Sequence, residues 1–195
     1  MVIPPILEFA HILAGRALNE GEPTVDATVG NGYDTAFLAR TVGPSGQVVG
    51  FDVQEEALVE TRRRLREEVP SASVRLVHGG HQTLFHELGE TQRGRVGAVM
   101  FNLGYLPGGD HSVITKPETT RQALAAGAEV LRPGGIITVV AYTGHEGGEA
   151  EARVVESWAS ALPQEQFRVL SYRFSNRSND PPRLFAIEKG GGTDP

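Results

Sequence analysis

The chain has 195 residues, of which 39% are hydrophobic and 22% charged, a balance typical of an ordered globular protein. It contains no cysteine, which excludes disulfide bonds, thiolate metal sites and cysteine nucleophiles. The net charge of −6 argues against broad binding to a polyanion, although a local basic surface is still allowed.

Apolar strands alternate with amphipathic helices along the first half of the chain. The predicted elements are a helix at about 3–19, a strand at 24–27, a helix through Phe37 and Leu38, a strand at 47–52, a helix at 55–68, and strands at 74–77 and 96–101. The helix at 55–68 has the clearest pattern, because its apolar residues form one stripe and charges fill the other faces.

The second half continues the alternation. The segment 115–118 has the spacing of a capping box with an early proline, which predicts the start of a helix that runs through Leu131. Pro133-Gly134-Gly135 is expected to end that helix and lead into a strand. The remaining predicted elements are that strand at 136–142, a helix at about 148–162, strands at 167–174 and 183–188 joined by a loop at 175–182, and a flexible tail at about 190–195.

This order predicts one α/β domain over residues 1–195. Strands separated by helices favour a doubly wound, mostly parallel, seven-stranded Rossmann-like sheet, and the last two strands would add an antiparallel edge hairpin. A ligand of such a sheet binds beyond the carboxyl ends of the strands. Because the sequence has no apolar run of membrane-spanning length and no secretory signal, we expect a cytoplasmic protein without a membrane partner.

The sharpest local motif is the turn after the first strand, where Asp26 is followed by Gly30 and Gly32. Two glycines let the backbone turn tightly and approach a ligand closely. A dinucleotide fingerprint needs a third small residue, but Thr35 stands there. An acid before the turn suits a ligand with a cationic end better than a pyrophosphate, which favours S-adenosyl-L-methionine (SAM) over NAD. An ordinary strand-to-helix turn is the alternative.

Two further strand ends carry residues that suit an adenosine. Asp52 ends the second strand, and a carboxylate there can accept both ribose hydroxyls, a feature that NAD and SAM sites share. Gly80 and His81 follow the third strand, where an adenine base is commonly lined. The other histidines considered receive no role, and their spacing gives no support for a metal site; they are His11, His86 and His145.

A longer motif narrows the class. Residues 101–110 read Phe-Asn-Leu-Gly-Tyr-Leu-Pro-Gly-Gly-Asp, and residues 115–120 read Thr-Lys-Pro-Glu-Thr-Thr. Together with the glycine turn and the loop at 179–182, they resemble class I SAM-dependent methyltransferases of the small bacterial "putative rRNA methylase" family. Members of that family are associated with methylation of 5-aminomethyl-2-thiouridine at the tRNA wobble position. The resemblance covers nearly the whole chain, with departures at Val29, Tyr33, Gly80 and Asp180.

The motifs and the resemblance together imply three groups of site residues. The expected SAM-binding residues are Asp26, Thr28, Gly30, Asn31, Gly32, Asp34, Thr35, Asp52, Gln54, Gly80, His81 and Asn102. The expected catalytic residues are Asn102, Tyr105 and Asp110. The expected substrate-binding residues are Gly104, Tyr105, Pro107, Gly108, His111, Lys116, Arg177 and Asn179. No metal is expected.

The chemistry of amine methylation explains the catalytic set. Residues 102–105 are similar to the Asn-Pro-Pro-Tyr motif of amino-methylating enzymes, in which an amide oxygen accepts a hydrogen bond from the amine and aligns its lone pair with the methyl carbon. An aliphatic amine is mostly protonated at neutral pH, so a proton acceptor would help. Asp110 and His111, one loop further on, are the candidates.

An RNA substrate needs positive charge near the site. Five basic residues in the loop after the fourth strand and around the last hairpin could form a phosphate-contacting rim: Lys116, Arg121, Arg173, Arg177 and Arg183. Tyr33 and Phe174 could stack an extruded base. The expected partner is the anticodon region of tRNA, and a homodimer that extends the RNA surface stays open. The alternatives are a methyltransferase for rRNA or a small amine, and a nucleotide-binding scaffold without catalysis.

Overall fold

The protein is described here from a computed structural model that covers residues 2–106, 108, 113–178 and 180–191. The strands are β1 Pro23–Asp26, β2 Gln47–Asp52, β3 Ser73–His78, β4 Val96–Leu103, β5 Leu131–Ala141, β6 Phe167–Tyr172 and β7 Arg183–Lys189. The helices are α1 Ile6–Ala17, α2 Tyr33–Val42, α3 Glu55–Glu68, α4 Leu84–Glu87 after a 3-10 turn at His81–Thr83, α5 Pro117–Val130 and α6 Gly148–Ser160.

The seven strands form one sheet in the order β3-β2-β1-β4-β5-β7-β6. Strands β1 to β5 are parallel, whereas β7 runs antiparallel to both β5 and β6. This confirms the predicted doubly wound sheet with an antiparallel edge. The strand order reverses between β1 and β4, and this switch point opens a crevice beyond the carboxyl ends of the parallel strands.

Helices cover both faces of the sheet, as continuous apolar strands require. On one face, α1 and α2 pack small and branched side chains such as Ala14 and Leu38 against Val48, Met100 and Val140. On the other face, α5 and α6 pack against Val99, Phe101 and Ile137. Both faces of β4 and β5 are therefore buried, and the ends of these strands are held firmly at the crevice.

The structure corrects two sequence predictions. The capping box is wrong, because the residue that caps α5 is Lys116 and no side chain caps its first turn. The Thr115 hydroxyl instead donates a hydrogen bond to Glu151, which lies on α6. The boundary after α5 is also wrong: the helix ends at Val130 and β5 begins at Leu131, so Pro133-Gly134-Gly135 lies within the strand, where its pairing with β4 shifts register.

Some predictions fall outside the described residues. These are the candidate site residues Pro107, Asp110, His111 and Asn179, and the end of the expected tail at 192–195. Within the described part of the chain, none of the helices has the length and apolar character that crossing a membrane would require. The cytoplasmic location stays a prediction.

Candidate active site

A cavity of about 1130 Å³ lies at the crevice beyond the carboxyl ends of the parallel strands. Its walls come from the segments that follow β1 to β5, and the first helix contributes Leu7 and His11. The segments that follow β1, β2 and β3 form one end of the cavity, and those that follow β4 and β5 form the other.

The glycine turn after β1, residues 28–32, contributes Thr28, Gly30 and Asn31 to the cavity lining. Gly30 and Gly32 have φ values of +51° and +79°, a region that favours glycine. A Cβ atom on Gly32 would lie 2.6 Å from Thr61 Oγ1, and one on Gly30 would lie 3.7 Å from Leu106. The Thr61 hydroxyl donates to the Gly30 carbonyl at 3.1 Å, so α3 braces the turn from below.

Asp26 supports this turn without lining the cavity. Its buried carboxylate accepts the Thr35 hydroxyl at 2.5 Å and the Thr28 N–H at 3.1 Å. Burial, and then the neighbouring charge of Asp34, raise the pKa of Asp26 to about 7. The carboxylate that lines the cavity beyond this turn is that of Asp34, in the first turn of α2.

The raised pKa predicts a pH-dependent stability. A carboxyl whose pKa is about 7 when folded and 3.8 ordinarily stabilises the fold fully below about pH 4, and this contribution is lost as the pH rises through 7. In Asp26→Asn the amide cannot titrate. The unfolding free energy of the variant should therefore gain at least about 1 kcal/mol relative to the wild type between pH 4 and pH 8. Urea denaturation at several pH values measures this, and parallel curves would contradict it.

The segments after β2 and β3 bring an acid and a histidine to the same end of the cavity. Asp52 accepts the backbone N–H groups of Gly30 (2.8 Å) and Gln54 (2.9 Å), although burial raises its pKa. His81 Nδ1 bonds the Ala27 carbonyl at 3.2 Å, whereas its buried Nε2 has no partner among the described residues. Burial lowers the pKa of His81 to about 4, so the ring is neutral at pH 7.

These features fit an adenosine with a cationic tail. Asp52 is placed for ribose hydroxyls, the buried His81 Nε2 lacks a hydrogen-bond partner among the described residues, and Asp34 carries negative charge beside the glycine turn. A Cβ atom on Gly30 would be in van der Waals contact with Leu106 at 3.7 Å, and a side chain at this position would narrow the cavity that both residues line. The residues therefore suit SAM.

The tip of β4 forms the other end of the cavity. The Asn102 backbone N–H donates to the Thr28 hydroxyl at 2.6 Å, which ties this tip to the turn after β1. Tyr105 is 40% exposed, pairs with Ile114 in an antiparallel bridge, and meets the His145 ring edge-on at 5.8 Å. The amide and the phenol of the sequence motif thus lie at the same end of one cavity.

A buried carboxylate fixes the segment after Asn102. Glu151, only 2% exposed, accepts the hydroxyls of Thr115 and Thr120, both at 2.6 Å. Thr115 in turn accepts the Gly104 N–H at 3.1 Å, and its own N–H donates to the Gly104 carbonyl. Glu151 lies in the first turn of α6, where the helix dipole favours its negative charge.

Removal of this carboxylate should destabilise the protein. Glu151→Ala leaves the buried Thr120 hydroxyl and the half-buried Thr115 hydroxyl without their acceptor and creates a void, so we expect a loss of about 2–4 kcal/mol in unfolding free energy. The matched control is Glu156→Ala, an exposed acid on the same helix, which should change stability by less than about 0.5 kcal/mol. Chemical denaturation of both variants decides this, and equal losses would refute the role of Glu151.

The structure brings most of the predicted site residues to one cavity. Those that line it are Thr28, Gly30, Asn31, Asp34, Asp52, Gln54, Gly80, His81, Asn102, Gly104, Tyr105 and Lys116. Those that do not are Asp26, Gly32, Thr35, Gly108 and Arg177. The first three of these are buried and shape the turn.

Sequence reasoning gave no role to three titratable ring side chains that also line the cavity. His11, His145 and Tyr142 received no role, although each lies at the wall beside Asp34 or Tyr105. Burial, and then the charges of Asp34 and Tyr105, raise the pKa of Tyr142 above its ordinary value. A signal existed only for Tyr142, which is the last residue of a predicted strand. His11 lies on a helix that reaches the site by packing alone.

Two arginines of the expected basic rim form ion pairs with glutamates. Arg183 pairs with Glu149 at 2.8 Å and Arg121 with Glu118 at 3.4 Å. Lys116 is exposed at the cavity wall, and the exposed Arg177 stacks its guanidinium 4.6 Å from the centre of the Phe174 ring. At the opposite wall, Arg64 lies 3.8 Å over the ring of Tyr33, which is 62% exposed. Cations thus lie beside two of the aromatic rings.

Comparison with known proteins identifies the class. Residues 48–188 match the family model described as "Putative rRNA methylase". The chain is 36% identical over 190 residues to "tRNA (mnm(5)s(2)U34)-methyltransferase, chloroplastic" of Arabidopsis thaliana, an alignment that covers 93% of this chain and 69% of that protein.

Two solved structures agree with this match. The "putative rRNA-methylase" of Clostridium thermocellum is 44% identical, with a TM-score of 0.91, over 97% of this chain and 100% of that one. A "putative methyltransferase" of Streptococcus mutans, in complex with SAH (S-adenosylhomocysteine, the demethylated form of SAM), is 37% identical. Its TM-score is 0.85 over 96% of this chain and 99% of that one.

The fold, the cavity and these matches define a SAM-dependent methyltransferase. The protein therefore uses SAM, and the scaffold without catalysis considered from the sequence is wrong. More narrowly, the chain belongs to the putative rRNA methylase family.

Proposed function

We propose that this enzyme methylates the aminomethyl nitrogen of 5-aminomethyl-2-thiouridine at the wobble position of tRNA. The observation that carries the proposal is the position of Asn102 and Tyr105 at the end of the cavity opposite Asp52 and His81. The name of the Arabidopsis relative supports the same substrate. The anticodon region of tRNA is then the partner.

The proposed SAM site divides along the sheet. Gly80 and His81 would contact the adenine, Asp52 and Gln54 the ribose, and the turn of Thr28, Gly30, Asn31 and Asp34 the cationic methionine end, with Asp26, Gly32 and Thr35 supporting that turn. When bound, SAM supplies an electrophilic methyl group on a positively charged sulfur. The protein then has to exclude water and hold the acceptor in line, which is how alignment accelerates such a transfer.

Asn102 and Tyr105 would hold the acceptor. An amide oxygen accepts a hydrogen bond from the amine and directs its lone pair toward the methyl group, while a tyrosine ring gives the base or methyl group a flat surface. The link from Asn102 N–H to Thr28 ties this amide to the proposed SAM turn, so one hydrogen bond couples the two halves of the site. Gly104 and the segment 107–111 would complete the substrate side.

The RNA would approach over aromatic rings with cations nearby. Tyr33, Tyr105 and Tyr142 are exposed at the cavity wall, and a base extruded from a loop stacks on such rings. Lys116 and Arg177 would contact phosphates there. The proposed contact between the RNA and the protein is small, which agrees with the negative net charge of the chain. A homodimer would enlarge this surface, and sedimentation of the protein with and without tRNA tests it.

The direct test uses purified enzyme and SAM labelled in its methyl group. Label should enter tRNA that carries the aminomethyl group and should not enter the same tRNA prepared without it. Nucleoside mass spectrometry then identifies the methylated base. Equal labelling of both tRNAs would refute the substrate.

The family description favours rRNA as a second candidate, and a small amine would also fit the acidic composition. Competition separates the three substrates. Unlabelled tRNA with the aminomethyl group should suppress labelling of any other acceptor, whereas 16S or 23S rRNA should not. Suppression by rRNA alone would favour the second candidate, and suppression by neither would favour a small amine.

A further inference from the structure

A histidine and an aspartate from two different helices meet at the cavity wall. His11 Nε2 on α1 lies 2.6 Å from Asp34 Oδ1 on α2, and the two side chains are 30% and 11% exposed. The His11 ring also stacks on Phe37 at 4.1 Å with an angle of 3° between the ring planes. Because the carboxylate accepts the hydrogen of Nε2, Nδ1 is the acceptor nitrogen of the neutral ring.

The order of the strands places the His11–Asp34 pair between the proposed SAM side and the acceptor side of the cavity. Asp34 follows the glycine turn, on the proposed SAM side. Helix α1 packs mainly on β5 and β7, on the acceptor side, and reaches α2 at its edge. The charge of Asp34 also contributes to the raised pKa of Tyr142 beyond β5, so its field extends to the acceptor side. Both His11 and Asp34 line the cavity that contains Asn102.

The reaction needs such a group. An aliphatic ammonium with a pKa near 10 has no lone pair to attack a methyl group until it loses a proton. A carboxylate near the amine attracts the ammonium form, and an imidazole held by that carboxylate can take the proton and pass it to water. The partial exposure of His11 provides the route to solvent.

We propose that His11, held by Asp34, is the proton acceptor for the substrate amine; this rests on the proposed function. The ammonium gives one proton to His11 Nδ1, which becomes an imidazolium. The amine lone pair then forms the N–CH₃ bond while the S–CH₃ bond breaks, and its electrons remain on sulfur. The product leaves as a secondary ammonium, and His11 releases its proton to water, so one proton is lost per turnover.

Other ionisable groups lie around this end of α1. Glu8 lies on α1 itself, Tyr142 follows β5, and Asp180 lines the cavity. Arg183, the first residue of β7, forms an ion pair with Glu149. Tyr142 and Arg183 are excluded as acceptors. The raised pKa keeps Tyr142 protonated at neutral pH, Glu149 holds Arg183, and of these groups only His11 has an observed hydrogen bond that orients an acceptor nitrogen.

The experiment compares His11→Gln with the wild type in single-turnover methylation of aminomethyl tRNA from pH 6 to 9.5. At pH 7 the variant should be about 100-fold slower, and the deficit should shrink to less than about 10-fold at pH 9.5, where the amine loses its proton unaided. SAH affinity measured by calorimetry should stay within about twofold. The matched control is His86→Gln, an exposed histidine on α4, which should behave as the wild type.

A second measurement does not depend on turnover. NMR of the imidazole nitrogens should show the His11 hydrogen on Nε2 in the wild type, and this preference should be lost in Asp34→Ala, because that variant removes the carboxylate that accepts the hydrogen. A deficit in His11→Gln that is equal at every pH, or a ring that carries its hydrogen on Nδ1, overturns the proposal. If the wild type methylates only RNA without the aminomethyl group, the proposed function fails and this role of His11 fails with it, whereas methylation of aminomethyl tRNA with a pH-independent deficit overturns the role of His11 alone.

Discussion

Asn102→Ala is expected to slow methyl transfer about 100-fold, because the amide oxygen that would orient the amine is lost, a cost of about 2.7 kcal/mol in the transition state. The backbone N–H of residue 102, which bonds Thr28, is retained by alanine. The turn after β1 should therefore keep its position, and SAH affinity should change less than about threefold. Single-turnover kinetics with aminomethyl tRNA and calorimetry with SAH measure the two quantities.

The matched control is Asn19→Ala. Asn19 is an exposed asparagine that bonds Glu22 just before β1, at the opposite end of the strand from the cavity. It should retain the wild-type rate. An Asn102→Ala enzyme with the wild-type rate would remove the amide from the mechanism, and a variant that lost SAH affinity and rate together would assign Asn102 to cofactor binding alone.

Gly32→Ala should weaken SAM binding at least tenfold and destabilise the protein by about 2–4 kcal/mol. Alanine at a φ of +79° costs about 1–2 kcal/mol, and its Cβ atom would lie 2.6 Å from Thr61 Oγ1. Relief of this overlap moves either the turn or α3, and both support Gly30. Urea denaturation and calorimetry with SAM measure the two effects.

Gly21→Ala separates backbone strain from the site. Gly21 has a similar φ of +86°, but an added Cβ atom would meet only Ser45 Oγ, at 3.5 Å, far from the cavity. This variant should lose about 1 kcal/mol of stability and keep wild-type SAM affinity. If Gly32→Ala also kept wild-type affinity, the turn would not be part of the SAM site.

The sequence was sufficient for the sheet because its central strands are apolar on both faces. Runs such as that of β2 and that of β4 stand out between polar helices, and the predicted helix at 55–68 agrees with α3. The short α4 was not predicted, since four residues carry too little periodicity to be seen.

Two boundaries failed because long-range contacts outweighed local signals. Thr115 has the spacing of a helix cap, but Glu151, 36 residues later, captures its hydroxyl. Pro133 and two glycines normally end a helix, yet here β4 pairs with this segment and extends β5 back to Leu131. Neither partner can be read from the neighbouring residues.

The site residues, like the helices and strands, were only partly predictable from the sequence. Strand ends located Asp52, His81 and Asn102, because a parallel sheet gathers the residues that follow its strands. Asp26 was expected among the SAM-binding residues, but it is buried, accepts the Thr35 hydroxyl and does not line the cavity. The pairing of His11 with Asp34 depends on how two helices pack across the sheet, and no spacing between residues 11 and 34 reveals it.

The position of β7 has a consequence for biosynthesis. This strand lies between β5 and β6, although it is made after both. While the ribosome synthesises residues 142–182, the β5 edge of a nascent chain has no neighbour on that side, and its unpaired N–H and C=O groups can join the edge of another chain. Slow translation of this stretch should therefore promote aggregation, and chaperones that shield strand edges should matter most before Arg183 emerges.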